Sequence, residues 1–219
     1  MEKFRRWAEA GKHGGNQFWL QLNHPGRAIQ TDLGGKVWPP SAIALNMGKH
    51  SKIFAQPTAI TKGQIEEVIA RFTDTAKRAE EAGFDGVELH GAHGYLISQF
   101  LSPLSNQRTD VWGGSLENRA RFLLDVVRAI RAVVKPNFGV GVKLNSADFQ
   151  RGGFEAADAQ QVVRWLNGLA VDLVEVSGGT YESPAMTGRT ADQRTLDVLW
   201  AWQKFTFNQE RRAPSSPAP

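Results

Sequence analysis

Three proton-handling side chains fall within six residues near the middle of the chain. His90 and His93 are three residues apart, and Tyr95 follows two residues later. They come at the end of a short apolar stretch, Asp85 to His90, whose alternating side chains are typical of a β-strand. Two imidazoles and a phenol at one strand end can donate hydrogen bonds to a single oxygen and stabilise charge that develops there. The spacing therefore predicts a site that acts on an oxygen-bearing ligand.

The same histidines are not expected to hold a metal ion. A zinc site needs at least three protein ligands, and His24 is the only other histidine at a predicted strand end. The chain has no cysteine, which excludes disulfides, thiolate nucleophiles and cysteine metal sites. We therefore predict that the site contains no metal.

Four strands are predicted, and each becomes polar on one face towards its carboxyl end. The predicted strands are Asn16 to Asn23, Asp85 to His90, Phe138 to Asn145 and Val171 to Ser177. The polar residues at their ends are Gln21 and Asn23, Glu88 and His90, Lys143 and Asn145, and Glu175 and Ser177. The carboxyl ends of parallel strands carry the active site in an α/β barrel. From the residues alone, Gln21 could equally complete a hydrogen-bond ladder, and Lys143 could lie at a barrel rim.

Amphipathic helices are predicted to alternate with these strands. They are expected from Glu2 to Gly11, from a cap at Thr61 to a stop at Gly83, from Ser115 to Pro136, and from Phe154 to Gly168. The segment from His24 to about Thr61 has no sustained period and is predicted to be a long excursion over the surface. Such alternation favours parallel strands with helical crossovers. A doubly wound sheet is the alternative, but the first strand is not followed by a glycine-rich phosphate fingerprint, so we favour a barrel.

Composition sets the outer bounds on fold and partners. A chain of 219 residues that is 41% hydrophobic can form one domain with a sizeable core. Its net charge of +4 is scattered, with no run of five or more like charges that would indicate a nucleic-acid arm. No segment is apolar over the roughly 18 residues that a membrane span requires, and the first residues lack the apolar region of a signal peptide. We therefore expect a cytoplasmic protein with neither nucleic-acid nor membrane partners.

Three stretches of the chain resemble the Old Yellow Enzyme or NADH:flavin oxidoreductase family of FMN-dependent barrel enzymes. They are QLNHPGR from Gln21 to Arg27, ELHGAHGYLISQFLSPLSNQRTDVWGGSLENRARF from Glu88 to Phe122, and VGVKLNSADF from Val140 to Phe149. The resemblance is to the branch that has two histidines where other members have a histidine and an asparagine. It implies an α/β fold, namely a partial TIM (β/α)8 barrel of about four parallel strands with flanking helices. It also implies FMN as cofactor and NADH or NADPH as reductant.

The resemblance further implies a role for each site residue. Gln21 is similar to the amide that hydrogen-bonds the flavin pyrimidine edge, and Lys143 to the cation beside flavin N1 and O2, where reduced flavin carries negative charge. His90 and His93 resemble the pair that binds the carbonyl oxygen of an α,β-unsaturated substrate stacked over the flavin, so His90 belongs to both the substrate and the cofactor site. Tyr95 resembles the acid that protonates the α-carbon. The implied reaction is reduction of an enone-type C=C bond in a ping-pong cycle.

The resemblance covers less than a whole family barrel. Family members have two further strands before the region of Met1, and continue to a seventh and eighth strand with glycine-rich loops that hold the flavin phosphate. We therefore expect residues 1–188 to form a partial FMN-binding barrel, and residues 189–219 to form a divergent tail whose Pro/Ser-rich end is disordered.

Two alternatives to a complete flavoenzyme stay open. One is a non-catalytic fragment, or a half-barrel that needs a partner, including a second copy in a homo-oligomer, to complete the flavin site and cover its open edges. The other is a flavin-free aldolase in which Lys143 forms a Schiff base.

Overall fold

The computed structural model of the chain describes residues 1–187. The predicted tail at residues 189–219 lies outside the described residues. The α-helices are α1 (Glu2–Gly11), α2 (Lys62–Glu81), α3 (Leu96–Leu101), α4 (Leu116–Arg131) and α5 (Ala156–Asn167). The β-strands are β1 (Trp19–Leu22), β2 (Gly86–Gly91), β3 (Gly139–Asn145) and β4 (Leu173–Ser177). Two short 3-10 helices, Gly48–Ile53 and Ala185–Thr187, lie in connecting segments.

The four strands form one parallel sheet in the order β1-β2-β3-β4. Strands that are consecutive in the sequence are therefore neighbours in the sheet, which confirms the predicted α/β fold with parallel strands. All four strands begin later than predicted, β2 and β3 by one residue, β1 at Trp19 and β4 at Leu173. Just before β1, the backbone N–H of Phe18 donates to a side-chain carboxylate, Asp85 Oδ2 at 2.9 Å, instead of to a backbone carbonyl oxygen of a neighbouring strand.

The predicted helix signals largely correspond to the observed helix ends. Thr61 caps α2 reciprocally with Gln64, each side chain accepting from the other residue's backbone N–H. After α2, Gly83 adopts a φ of +92°, the left-handed conformation that glycine tolerates best. Ser115 caps α4 by accepting from the Asn118 backbone N–H. These caps fix the lengths of the two longest helices and hence the spacing of the strands they connect.

The core lies between the sheet and the helices on its apolar face. Val87, Leu89, Val140 and Val142 alternate along β2 and β3 and are fully buried. The helices α2 and α4 pack against each other over this face. The predicted alternation of apolar and polar sides is therefore confirmed, and the opposite side of the sheet is left for polar groups.

The helix α3 was not predicted. All six of its residues are buried, among them Phe100, whose ring stacks on that of Phe122 in α4 with 4.4 Å between centroids. A helix buried on every side lacks the alternation of polar and apolar faces that identifies a surface helix in a sequence. The helix begins directly after Tyr95, so its burial anchors the backbone that carries the catalytic candidates.

The prediction of a surface excursion between His24 and Thr61 was wrong in part. Trp38 and Ile60 in this segment are buried in the core. Arg108 holds the segment against the rest of the protein, because its guanidinium donates to the carbonyl oxygens of Pro40 and Ile60 at 3.0 and 2.6 Å. The segment lacks a regular period because side-chain donors from elsewhere in the chain, rather than a helix or sheet ladder, satisfy part of its backbone.

Across residues 1–187, we find no helix with both the length and the apolar character that crossing a membrane requires.

Candidate functional site

The polar face of the sheet is closed at its amino-terminal end by the indole of Trp19. The ring packs on the backbone of Gly86, Gly139 and Gly141, and a Cβ atom placed on Gly139 would lie 2.2 Å from Trp19 Cζ2. These three positions on the two neighbouring strands must therefore lack side chains. The indole separates the amino-terminal end of the sheet from the polar groups beyond it.

Two hydrogen-bonded pairs lie beyond Trp19, each linking neighbouring strands. Gln21 of β1 and Glu88 of β2 are partners in register, and Gln21 Nε2 donates to Glu88 Oε2 at 2.6 Å. Lys143 of β3 and Glu175 of β4 are likewise in register, with 2.5 Å between Lys143 Nζ and Glu175 Oε1. This ion pair gives no support to the Schiff-base alternative, which requires an uncharged lysine amine.

The pKa values of the two carboxyl groups in these pairs are shifted in opposite directions. Burial raises the pKa of Glu88 above its usual value. Partial burial acts in the same sense on Glu175, but the hydrogen bond from Lys143 and the positive charges of Lys143 and His93 together lower the pKa of Glu175. The lowered pKa keeps Glu175 charged, so the Lys143–Glu175 ion pair remains intact beside Glu88.

His90 lies near the carboxyl end of β2, in register with Lys143 of β3, and is buried. Its Nδ1 accepts the Ala92 backbone N–H at 3.3 Å, so the ring proton is on Nε2. Burial, followed by the positive charges of His93 and Lys143, lowers the pKa of His90 from 6.5 to about 4. At neutral pH, His90 is thus an uncharged imidazole that can donate a single hydrogen bond from Nε2.

His93 lies beside His90, with 5.0 Å between ring centroids and an angle of 84° between ring planes. Its backbone adopts a φ of +59°, an uncommon conformation for a residue with a side chain. Asn145 of β3 holds it there by accepting the His93 backbone N–H at Oδ1. His93 Nε2 lies 2.6 Å from Ser177 Oγ of β4, and burial followed by the charge of Lys143 lowers the pKa of His93. Two neutral imidazole rings therefore lie next to each other at this end of the sheet.

Tyr95 completes the cluster from the amino end of α3. Its ring lies 4.9 Å from that of His90, and its hydroxyl oxygen is 2.9 Å from the hydroxyl oxygen of Tyr181. Sequence reasoning missed Tyr181, which lies four residues after the end of β4 in no recognisable motif. A usable signal existed, because the chain has only two tyrosines and this one follows a strand end that carries polar residues.

The structure brings all the predicted site residues to one end of one face of the sheet. These residues are Gln21, His90, His93, Tyr95 and Lys143. His24 lies elsewhere: its Nδ1 accepts the Gly26 backbone N–H, and burial followed by the charge of Arg71 lowers its pKa to about 4. Over residues 1–187, no three histidine or carboxylate side chains are grouped so that they could hold a metal ion.

Parallel strands joined by helices, with convergent polar groups at the strand carboxyl ends, are the arrangement found in (β/α)8-barrel proteins. A comparison with known families makes the assignment specific. The sequence profile of the NADH:flavin oxidoreductase / NADH oxidase family matches residues 1–204, so the chain belongs to that family. The family uses FMN as cofactor, with NADH or NADPH as reductant. This confirms the resemblance on which the sequence interpretation depends.

Several curated relatives are similar over most of this chain. The NADH-dependent flavin oxidoreductase iliE of Neonectria sp. is 41% identical over 198 residues, which are 85% of this chain and 26% of the relative. The NADPH dehydrogenase of Bacillus velezensis is 42% identical over 180 residues, which are 82% of this chain and 50% of the relative. The chain thus spans between about a quarter and a half of the length of these relatives.

Solved structures confirm a partial TIM barrel. A 2-naphthoyl-CoA reductase in complex with 2-naphthoyl-CoA superposes with a TM-score of 0.82 at 28% identity, covering 94% of this chain and 33% of that protein. The Old Yellow Enzyme homologue from Zymomonas mobilis superposes with a TM-score of 0.72 at 26% identity, covering 84% of this chain and 56% of that protein.

The donors on the polar face fit the edge of a flavin. A flavin pyrimidine ring presents carbonyl oxygens and ring nitrogens that take hydrogen bonds from an amide and charge stabilisation from a cation. Gln21 and Lys143 supply these two groups from β1 and β3, on the same face as the histidine pair. The chemistry of this donor set therefore matches the cofactor of the family.

Proposed function

We propose that this chain carries the substrate-binding part of an FMN-dependent NAD(P)H oxidoreductase that reduces the C=C bond of enone-type compounds. The observation that carries the proposal is the meeting of His90, His93 and Tyr95 at one strand end, with ring centroids 5.0 and 4.9 Å from that of His90. FMN, when bound, supplies reversible two-electron chemistry, because it can take hydride from NADH or NADPH and give hydride to an electron-poor carbon.

The proposal assigns Gln21 and Lys143 to the cofactor. Gln21 would orient the flavin pyrimidine edge through its amide, and Lys143 would stabilise the negative charge of the reduced ring. The ion pair with Glu175 keeps the Lys143 ammonium group within the polar face. Burial raises the pKa of Glu88, which disfavours a second negative charge beside that ammonium.

The two imidazoles are assigned to the substrate carbonyl oxygen. Both are neutral at pH 7, because burial lowers the pKa of each ring below the usual value of 6.5. A neutral imidazole donates without adding a full charge to the ground state, and its hydrogen bond strengthens as the oxygen becomes enolate-like. Tyr95, next to His90, gives its phenolic proton to the α-carbon while hydride reaches the β-carbon.

The test is reduction of 2-cyclohexen-1-one by the full chain with added FMN and NADH or NADPH. We expect activity in the wild type, and a fall of about a hundredfold or more in His90→Ala and in Tyr95→Phe, the range that a general acid contributes. His50→Ala changes an exposed histidine outside the site and serves as the control. Wild-type activity that is unchanged in both site variants would refute the residue assignments.

A second candidate is a half-barrel that gains its flavin site only with a partner, which can be a second copy of this chain. The open sheet favours it: among the described residues β1 and β4 each have a neighbour on one side only, and Leu173 of β4 is 48% exposed. The discriminating measurement is the visible spectrum of the chain after FMN is added and excess is removed by gel filtration. Flavin absorbance that is retained at a monomer elution volume would exclude this candidate.

A further inference from the structure

Tyr95 and Tyr181 form a hydrogen-bonded phenol pair at the edge of the site. Their hydroxyl oxygens are 2.9 Å apart, and their rings meet edge to face with 5.7 Å between centroids. The two residues come from different loops, one after β2 and one after β4. A pair of hydroxyl groups shares only one hydrogen between them, so the donor of that bond leaves the other hydrogen free to point elsewhere.

Contacts with neighbouring residues fix the position of Tyr181. Phe54 packs edge-on against its ring with 5.6 Å between centroids. The adjacent Glu182 anchors the loop, because its carboxylate accepts from Arg27 Nη2 at 2.7 Å and from the Asn46 backbone N–H at 2.8 Å. Arg27 is itself buried. The phenol is therefore held against Tyr95 by an ion pair that connects the loops after β1 and β4.

The groups around the pair favour neutral phenols. Tyr95 faces the neutral ring of His90 on one side and Tyr181 on the other, and the charge of Glu182 is compensated by Arg27. Burial, followed by the hydrogen bond with Tyr95, raises the pKa of Tyr181 above its usual value. Either hydroxyl can donate at this distance, and when Tyr181 donates to the Tyr95 oxygen, the Tyr95 hydrogen is left for the substrate side.

We infer that Tyr181 is a positioning residue for proton delivery by Tyr95. The inference rests on the proposed function. In the step it serves, the Tyr95 O–H bond breaks and a C–H bond forms at the α-carbon of the enolate. The electron pair of that O–H bond stays on Tyr95 as a phenolate, which keeps accepting a hydrogen bond from Tyr181 until it takes a proton from water. Tyr181 itself is neither oxidised nor reduced and loses no proton.

The first test measures the phenol pair without cofactor or substrate. The full chain is labelled with [13Cζ]tyrosine and titrated by NMR, and Tyr95→Phe leaves Tyr181 as the only tyrosine in the chain. We expect Tyr181 to ionise at lower pH in this variant than in the wild type, because the hydrogen bond with Tyr95 contributes to its raised pKa. An unchanged ionisation midpoint for Tyr181 would overturn the inference.

The second test separates proton delivery from general damage to the site. We expect Tyr181→Phe to slow 2-cyclohexen-1-one reduction about tenfold, the loss typical of one hydrogen bond to a developing charge. Reduction of a quinone acceptor, which needs no proton on carbon, should keep its wild-type rate. Thr187→Val removes a hydroxyl from the same loop and is the matched control, since within residues 1–187 the Thr187 hydroxyl donates to the Pro184 carbonyl oxygen and not to the phenol pair.

The outcomes distinguish a failure of the inferred role of Tyr181 from a failure of the proposed function on which it rests. An equal loss for enone and quinone would mean that Tyr181 is merely structural and would overturn its positioning role. Enone reduction in Tyr181→Phe at the wild-type rate would also overturn that role, while leaving the proposed function standing. A wild-type chain that binds FMN and reduces quinone but not enone would instead overturn the proposed function, and the inference with it.

Discussion

Replacing His90 with glutamine should remove a large part of the acid sensitivity of this protein. His90 is buried, faces His93, Lys143 and Glu175, and has a pKa lowered from 6.5 to about 4. Once unfolded, the chain binds a proton at this histidine as pH falls below about 6.5, while the folded chain does not bind one until about pH 4. Folding stability contributed at neutral pH is therefore lost progressively as pH falls through that window.

The size of the effect follows from the two pKa values. A difference of this size costs the folded state about 2 kcal/mol by pH 5 and about 3 kcal/mol by pH 4, relative to pH 7.5. Glutamine has a side chain of similar length and does not titrate, so His90→Gln should lose this component. His24, whose pKa is also lowered to about 4, keeps its own contribution in both proteins.

The assay is urea unfolding followed by tryptophan fluorescence at pH 7.5 and at pH 5. We expect the free energy of unfolding to fall by about 2 kcal/mol less in His90→Gln than in the wild type between these two conditions. His50→Gln, which changes an exposed histidine, should behave as the wild type. Equal pH dependence in His90→Gln and the wild type would mean that His90 is not kept neutral by burial, and the assignment of a neutral donor would fail.

Two substitutions test the scaffold that positions the site. Thr61→Ala should lower the free energy of unfolding by about 1 kcal/mol through loss of the α2 capping box, while Thr75→Ala on the exposed side of the same helix should be nearly neutral. Gly139→Ala should cost about 2 kcal/mol or more, because its Cβ would lie 2.2 Å from the Trp19 ring, whereas Gly63→Ala meets no atom within 4 Å and should be neutral or stabilising. Both are measured by urea unfolding, and a cap variant as stable as the wild type, or a tolerated alanine at residue 139, would contradict the corresponding contact.

The elements that were predicted well are those whose signal is local. The cap at Thr61 and the stop at Gly83 act within one helical turn, and α2 ends close to where they place its limits. Alternation along β2 and β3 likewise places Val87 and Val140 in the core. By contrast, α3 is buried on all sides and has no polar face to give it a period. The segment between His24 and Thr61 was misjudged because its burial depends on distant groups such as Arg108.

The same division applies to the site. His90, His93 and Tyr95 lie within six residues, so their proximity needed only a strand followed by a tight turn. The contact of Tyr95 with Tyr181 spans 86 positions in the sequence and could not be inferred from spacing. The strand-end residues Glu88 and Glu175 were visible as polar groups. Only the register of neighbouring strands pairs Glu88 with Gln21 and Glu175 with Lys143.

The sequence by itself determined the alternation of helices and strands, the family, and the cluster of proton-handling residues after β2, because each depends on residues close together in the chain. The tertiary structure alone decided which of those groups carry charge and which donate. Burial lowers the pKa of His90 and raises the pKa of Glu88. Protonation depends on the surroundings that folding creates around each group, and those surroundings come from strands and loops far apart in the sequence.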